Sequence, residues 1–478
     1  MTTRRIAVLL GAALVSGCAS GPDYRRPEVD LPGSYPGQAE SSAPAIDARW
    51  WQLYRDETLN GLVAGALERN TDLRLAVARI EETDANLREA GAAFLPEIAL
   101  GASGTRQRIS TQTATPLPSG IAPLRNNVRL SASTAFEVDF WGKLRRAVEA
   151  ARAIALASRY ARDVVSLSLA GLTSQAYFSL RSLEAQIALT RATLASRDEF
   201  LELVRRRASG GIASALEVHQ AEVARADAAV LLKDLERQRT LAGHQLGTLT
   251  GRLDLALAPS GALLALPVPP TPPAGLPSAL IERRPDIRQA EQQLISANAQ
   301  IGVAKAAMLP SISLTGLYGG ESKSLSTLLQ SGARIWSLGF GLSLPIFDWG
   351  RLEARTDAAE ARARQTLALY QKSIESAFRE VADALTNLEQ STAVEQDLQK
   401  RVEAARDALR LARIRYEAGY SSYLEVLDAQ RNANDSELAV IRNRQNRLSA
   451  SVDLMKALGG GWSADTYSSL PVGALQSD

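Results

Sequence analysis

Few side chains in this sequence can make or break bonds. In 478 residues there is one thiol, Cys18, and there are two imidazoles, His219 and His244. Neither histidine stands beside a nucleophile motif or a second metal ligand, so no zinc, thiol or catalytic centre can be assembled. No enzyme, metal or cofactor is expected. No phosphate-binding loop is present. The acids are abundant, but they fall where solvated helix faces would put them. One acid differs between two otherwise matching stretches. Asp428 follows Leu424 by four residues, a spacing that places both on one helix face. The stretch 208 residues earlier keeps Leu216 but has Gln220 in place of the acid.

Composition narrows the class. A net charge of +2 supplies no concentrated basic patch and argues against a nucleic-acid partner. At 46% hydrophobic and 5% aromatic, the chain is thin for several globular cores and suits extended helices. Cys18 has its own context. Arg4 and Arg5 precede an apolar run from Ile6 to Val15, too short to span a membrane stably, so 1–17 is expected to be a signal peptide. Val15-Ser16-Gly17-Cys18 resembles the bacterial lipobox, in which the cysteine carries fatty acids such as palmitate and becomes the first mature residue. Ala19 rather than aspartate follows, which for lipoproteins implies outer-membrane sorting. Residues 18–56 then form a lipidated arm rich in Pro, Gly and Ser, pinned by Trp50-Trp51.

Two turns position the residues compared above. Gly419 suits the left-handed residue that closes a helix, and Ser422 with Glu425 has the spacing of a capping box that opens the next. Gly211, Ser214 and Glu217 hold the equivalent places. Each turn joins a long helix to a shorter one, 142–208 to 214–248 and 350–418 to 422–457. The long helices would extend about 100 Å at 1.5 Å per residue. Leu367, Ile374, Phe378, Val381, Leu385 and Leu388 form a heptad seam, which slips by one position and resumes at Leu398, Val402, Ala405, Leu409 and Ala412. Placed end to end, 214–248 and 278–308 nearly match one long helix, and 422–457 with 72–94 can do the same. The connector at 252–285, too rich in proline for a helix or a central strand, would bulge out as an equatorial belt.

Before each long helix the period changes from helical to alternating. Glu97 to Arg106 and Asn127 to Phe140 read as the strands of a hairpin at 97–140. Ser311 to Gly320 and Ala333 to Phe347 read as a second at 311–347. About 10 tilted residues per strand suffice to cross an outer membrane. Trp141 and Trp349 follow the hairpins, where membrane-interface anchors sit. Asp72-Leu73-Arg74 recurs as Asp286-Ile287-Arg288, and Leu95-Pro96 as Leu309-Pro310, each displaced by 214 residues. The chain is thus a tandem duplication, with repeats at 57–251 and 286–460 and a tail at 461–478. Four strands cannot close a barrel, and open edges are not tolerated in lipid. Pooling would give about eight strands in a dimer and about twelve in a trimer.

The lipobox, the duplicated unit, Asp139-Phe140-Trp141-Gly142 beside Asp348-Trp349-Gly350, and the turn from Gly419 to Gln430 together resemble the outer-membrane factor family, the TolC and OprM-like channels of tripartite efflux pumps. The resemblance implies an α+β membrane protein. It would be a homotrimer with a 12-stranded β-barrel, four strands per chain, in the outer membrane of a Gram-negative bacterium. The barrel would be continuous with a periplasmic α-helical barrel of coiled-coil helices. It further implies a passive duct that conducts drugs or other small toxic compounds, with an inner-membrane RND-type transporter and a periplasmic membrane-fusion adaptor as partners and outer-membrane lipids around it. In OprM-like channels the Leu and Asp of a Leu-x-x-x-Asp-Ala-Gln pattern form constricting rings at the periplasmic tip, and these fall on Leu424 and Asp428. Gln220 leaves the first turn as the outer, non-gating one. The same architecture serves type I protein secretion in some relatives. A scaffold lipoprotein without a pore is the reading from a different class.

Overall fold

Each half of the sequence carries the same helical signals in the same order, and the three longest helices of one half match those of the other in length. The computed structural model describes residues 20–35, 46–112, 114, 118, 120, 122–260, 262–272 and 277–462. Cys18, the segment 1–17 and the tail after 462 lie outside these. The first half contains α1 (Glu57–Arg69), α2 (Thr71–Ala92), β1 (Glu97–Arg108), β2 (Leu124–Val138), α3 (Lys143–Ser209) and α4 (Ala215–Leu249). After the connector come α5 (Leu280–Arg283), α6 (Pro285–Ala306), β3 (Ser311–Ser322), β4 (Arg334–Ser343), α7 (Arg351–Glu417) and α8 (Tyr423–Ala457). Helices α2 and α6 each have 22 residues, α3 and α7 each 67, and α4 and α8 each 35.

Local chemistry explains where these elements begin and end. Asn70 separates α1 from α2: its side chain accepts from the Asp72 amide at 2.8 Å and donates to the Leu249 carbonyl at 3.0 Å. The long helices both start after a left-handed glycine, Gly142 at φ 76° and Gly350 at φ 78°. Upstream, Asp139 accepts from the amides of Leu144 and Arg145 at 2.9 and 3.0 Å, and Asp348 accepts from Leu352 at 3.0 Å. An acid at that end satisfies orphan amides and complements the helix dipole.

The connector differs from the expectation of a segment without helix. It holds α5, and Pro285 is the first residue of α6, where a missing N–H costs no intrahelical bond. The hairpins also end earlier than the alternation suggested, at Val138 rather than Phe140 and at Ser343 rather than Phe347. Phe140 folds back to bond the Val138 carbonyl at 2.8 Å, and Pro345 has no N–H to continue a ladder. Among the described residues, no helix is long and apolar enough to cross a membrane.

Shorter helices share the flanks of the long ones. The strand-proximal half of α3 packs on α2 and α6, with Arg159 paired to Asp84 at 2.9 Å. Its turn-proximal half packs on α4 and α8, with Arg191 paired to Glu236 at 2.8 Å and Thr193 bonded to Asn434 at 2.9 Å. Helix α7 likewise contacts α6, through Lys305 and Glu360 at 2.9 Å, and then α8. One core joins α1, α3, α4 and α8 around Trp50, Tyr54 and Phe178, and another joins α6, α7 and α8 around Tyr370 and Ile374.

The four strands form one antiparallel sheet in the order β1-β2-β3-β4. Its register puts even-numbered residues on one face and odd-numbered residues on the other. The even face holds Ile98, Leu100, Val128, Leu130, Phe136, Leu314, Tyr318, Trp336, Leu338 and Phe340. The odd face holds Ser103, Ser131, Ser133, Ser313, Thr315, Ser337 and Gly339. The apolar face is bare in the single chain, with Leu338 82% and Phe340 81% exposed. Among the described residues, the outer edges of β1 and β4 have no strand partner.

Candidate functional site

The two turns lie side by side at the end of the helices farthest from the sheet. Each is closed by a glycine in the left-handed region, Gly211 at φ 75° and Gly419 at φ 79°. Around Gly419, the amide of Tyr420 bonds Arg415 O at 2.8 Å and that of Gly419 bonds Tyr416 O at 3.0 Å. Around Gly211, Ile212 bonds Arg207 O at 2.8 Å and Gly211 bonds Ala208 O at 3.0 Å. This paired pattern satisfies the last carbonyls of a helix and needs a residue without Cβ strain at the left-handed position.

The helix starts depart from the reciprocal capping box. Ser214 Oγ accepts from the Glu217 amide at 3.3 Å, but the Glu217 carboxylate accepts from the Tyr416 hydroxyl at 3.2 Å instead of reaching back. The Ser422 side chain makes no cap at all. There the Glu425 amide bonds the Ser422 carbonyl at 3.2 Å, and the Glu425 carboxylate faces Arg415 at 3.7 Å. A nearby cation and a nearby phenol have drawn both glutamates out of the box.

The turns are held together by aromatic residues that the helical periodicity did not single out. Phe200 of α3 stacks on Tyr423 of α8 with centroids 4.8 Å apart, and Tyr416 of α7 lies 5.5 Å from Phe200. The Arg207 guanidinium sits 4.6 Å over the Tyr416 ring. Burial, and then the charge of Glu217, raises the Tyr416 phenol above its ordinary pKa. Burial pushes the Tyr423 phenol up to about 12. On the outer side, hydrogen bonds from Arg205 and then His219 hold the Glu222 carboxyl below its usual range.

Leu424 and Asp428 point away from this cluster. Tyr423, Val426 and Gln430 form the buried face of the start of α8, while Leu424, 59% exposed, and Asp428 occupy the open face. The structure places these two on one face and, among the described residues, gives Asp428 a single side-chain partner, Asn432 Nδ2 at 3.2 Å. The corresponding Leu216 is also exposed, beside a half-buried Gln220.

At the opposite end of the helices, the arm reaches the foot of the sheet. Ser20, two residues after Cys18, donates its amide to the Trp141 carbonyl at 3.0 Å and accepts from Arg146 Nε at 3.3 Å. The Trp141 indole N–H is used within the chain, donating to Pro310 O at 2.7 Å, and the ring is half-buried. Trp349 differs: it is 88% exposed at φ 59°, beside Phe347. The arm continues along α5 and α6, where Arg26 pairs with Glu282 and Glu291, both at 2.6 Å.

The site residues missed by sequence reading are Phe200, Tyr416, Tyr423 and the two helix-capping acids, Asp139 and Asp348. Aromatics at helix ends in an aromatic-poor chain, and an acid recurring just before each Trp-Gly pair, were the available signals.

Comparison with known proteins extends over the whole of this architecture. The family described as outer membrane efflux protein matches residues 62–252 and 276–460. Outer membrane protein OprJ of Pseudomonas aeruginosa is 37% identical, over 96% of this chain and 96% of its own length. The probable efflux pump outer membrane protein TtgC of Pseudomonas putida is 35% identical, over 98% of this chain and 97% of its own. The CmeC outer membrane channel of Campylobacter jejuni superposes with a TM-score of 0.86 at 26% identity, covering 93% of this chain and 96% of that one. Sequence, repeat structure and fold agree, and the chain belongs to the outer membrane efflux protein family, resident in the outer membrane and extending into the periplasm.

Proposed function

We propose that three copies of this chain pool their strands into a 12-stranded barrel and their helices into a periplasmic tunnel, forming the exit duct of a tripartite efflux pump. The observation that carries this reading is the sheet, apolar on one face, small and polar on the other, and open at both edges. Lipid forbids such edges, and closure through neighbouring copies removes them. A polar inner wall of Ser, Thr and Gly leaves a water-filled passage that imposes little selection on cargo. Helices of about 100 Å carry that passage through the periplasm.

In this reading the turns form the inner end of the duct, and the open face of α8 turns Leu424 and Asp428 toward the axis. A ring of symmetry-related Asp428 carboxylates repels itself unless protonated or cation-bound, and so forms a charged constriction. Gly211, Ser214, Glu217, Gly419, Ser422 and Glu425 shape the turns. Cys18 bears the lipid anchor, which the bond between Ser20 and Trp141 keeps at the foot of the barrel; Trp349 and Trp141 mark that interface. The relative named as an efflux pump component supports a periplasmic adaptor and an inner-membrane transporter as partners. In this reading the cargo is drugs and similar small toxic molecules, and the duct is a conduit without catalysis. The test is purification in detergent followed by planar-bilayer recording. A heat-modifiable trimer with pores is expected; a monomer that forms no pores overturns the reading.

A further inference from the structure

We propose that the far end of the barrel carries an outward-facing belt of arginines that binds the phosphates of the outer-leaflet glycolipid. The proposal rests on the membrane-spanning reading of the strands. The register puts Arg106, Arg108 and Arg334 on the same even-numbered face as Leu100, Leu130, Leu314 and Phe340. All three arginines are exposed, and among the described residues none has an ion-pair partner. On the opposite face one arginine is compensated. Arg129 lies 3.9 Å from Glu321, which also accepts from Asn127 at 3.0 Å.

The register also fixes the height of these residues. Tyr318 pairs with Trp336 across β3 and β4, an aromatic pair at the end of the apolar face, and Arg334 stands one pleat beyond it. The feet of the strands are staggered. Glu97, where β1 begins, shares its row with Ala135, Thr315 and Gly339, four residues inside the end of β4 at Ser343. The row of Arg334 runs through Gly320 and Leu130 to Ala102. The same four-residue stagger brings Arg106 level with Arg334, and Arg108 lies one pleat farther out. From Ile98 to Arg106 is about 26 Å along the strand, or roughly 20 Å of rise once tilted, against an apolar band about 25 Å tall. Arg106 and Arg334 therefore stand within about 5 Å of the edge of the hydrocarbon and Arg108 at it, on the side away from the periplasmic helices, where a guanidinium on its long stem reaches the headgroups.

An uncompensated guanidinium at that edge is unfavourable unless an anion meets it. The anions on that side of the membrane are the phosphates of the outer-leaflet glycolipid, whose oxygens suit the planar, bidentate guanidinium.

The full-length protein in detergent micelles is titrated with bisphosphorylated lipid A and with the same glycolipid stripped of both phosphates, and bound lipid is counted by native mass spectrometry. The phosphorylated form is expected to bind about tenfold more tightly, and the Arg106→Gln/Arg108→Gln/Arg334→Gln variant to lose that preference. Triple replacement by lysine retains most of it, and Arg129→Gln, on the inner face, retains all of it. Equal binding of the two glycolipids, or an undiminished preference in the triple glutamine variant, overturns the proposal. So does an equal preference for phosphatidylglycerol, which would mean general adhesion of anionic lipid. Bilayer recordings separate the two readings. A wild type without pores removes the barrel and the belt together, whereas intact pores with no phosphate preference remove the belt alone.

Discussion

Tyr416, at the end of α7, donates its phenolic hydrogen to Glu217, at the start of α4, across 3.2 Å. This bond crosses between the two turns, so it ties the hairpin that carries Leu424 and Asp428 to its neighbour.

Tyr416→Phe keeps the ring packed on Phe200 and removes only that bond, at a cost of about 1 kcal/mol. Glu217→Gln weakens the acceptor without emptying its space. Both variants are expected to raise the resting conductance of the reconstituted channel, because the α7–α8 hairpin is freer to swing outward. Conductance equal to wild type in both would show that the link does not restrain the opening.

Asp428→Ala is expected to raise resting conductance and to abolish its dependence on divalent cations, since the proposed carboxylate ring would be gone. Gln220→Ala, the counterpart in the first turn, should leave both unchanged. Single-channel recording with and without magnesium makes the comparison, and identical traces for Asp428→Ala and wild type would remove the acid from the constriction.

Alkaline pH should loosen the tip. The Tyr423 phenol titrates near 10 in the unfolded chain and at about 12 in the folded one. The unfolded state therefore releases its proton first. The contribution to stability is complete below pH about 10 and declines as pH rises toward about 12, at a limiting slope of roughly 1.4 kcal/mol per pH unit. Tyr423→Phe should flatten that decline in thermal unfolding curves; an unchanged slope would assign the titration elsewhere.

The two serines at the turns should respond unequally. Ser214→Ala removes a side-chain cap and should destabilise the start of α4 by about 1 kcal/mol, while Ser422→Ala removes none and should cost a few tenths at most. Hydrogen exchange of the amides of residues 215–218 and 423–426 reads the difference directly. Equal effects would mean that Ser422 caps α8 in solution.

Cys18→Ser should abolish incorporation of labelled palmitate while preserving trimers and pores, because Ser20 and Arg26 still bind the arm to the folded chain. Label retained by the variant would place the acylation at another residue.

Much of the fold was legible because the duplication supplies an internal comparison. Helix periods, prolines after Leu95 and Leu309, and Gly211 and Gly419 are local signals, and each occurs twice. What escaped the sequence depends on distance. Glu217 and Tyr416 are 199 residues apart, and nothing local tells that glutamate to prefer a phenol over its own capping site. Ser422 carries the same signal as Ser214, yet Arg415 engages Glu425 and the box does not close. The alternation before Phe140 and Phe347 continued past the true strand ends because exposed aromatics at the foot of the sheet imitate strand residues. For Leu424 and Asp428, four-residue spacing gave a common face, but only the buried Tyr423 and Val426 show which way that face turns.

The strand order of the sheet has a genetic consequence. Sequence neighbours pair within the chain, so in the proposed ring the free edge of β1 meets the β4 of another copy. A proline placed in mid-β4, for example Leu338→Pro, would spoil one edge and leave β1 able to recruit a healthy partner. Such an allele should be dominant. Expressed equally with the wild type, it would leave roughly one ring in eight free of a damaged seam if three chains assemble at random.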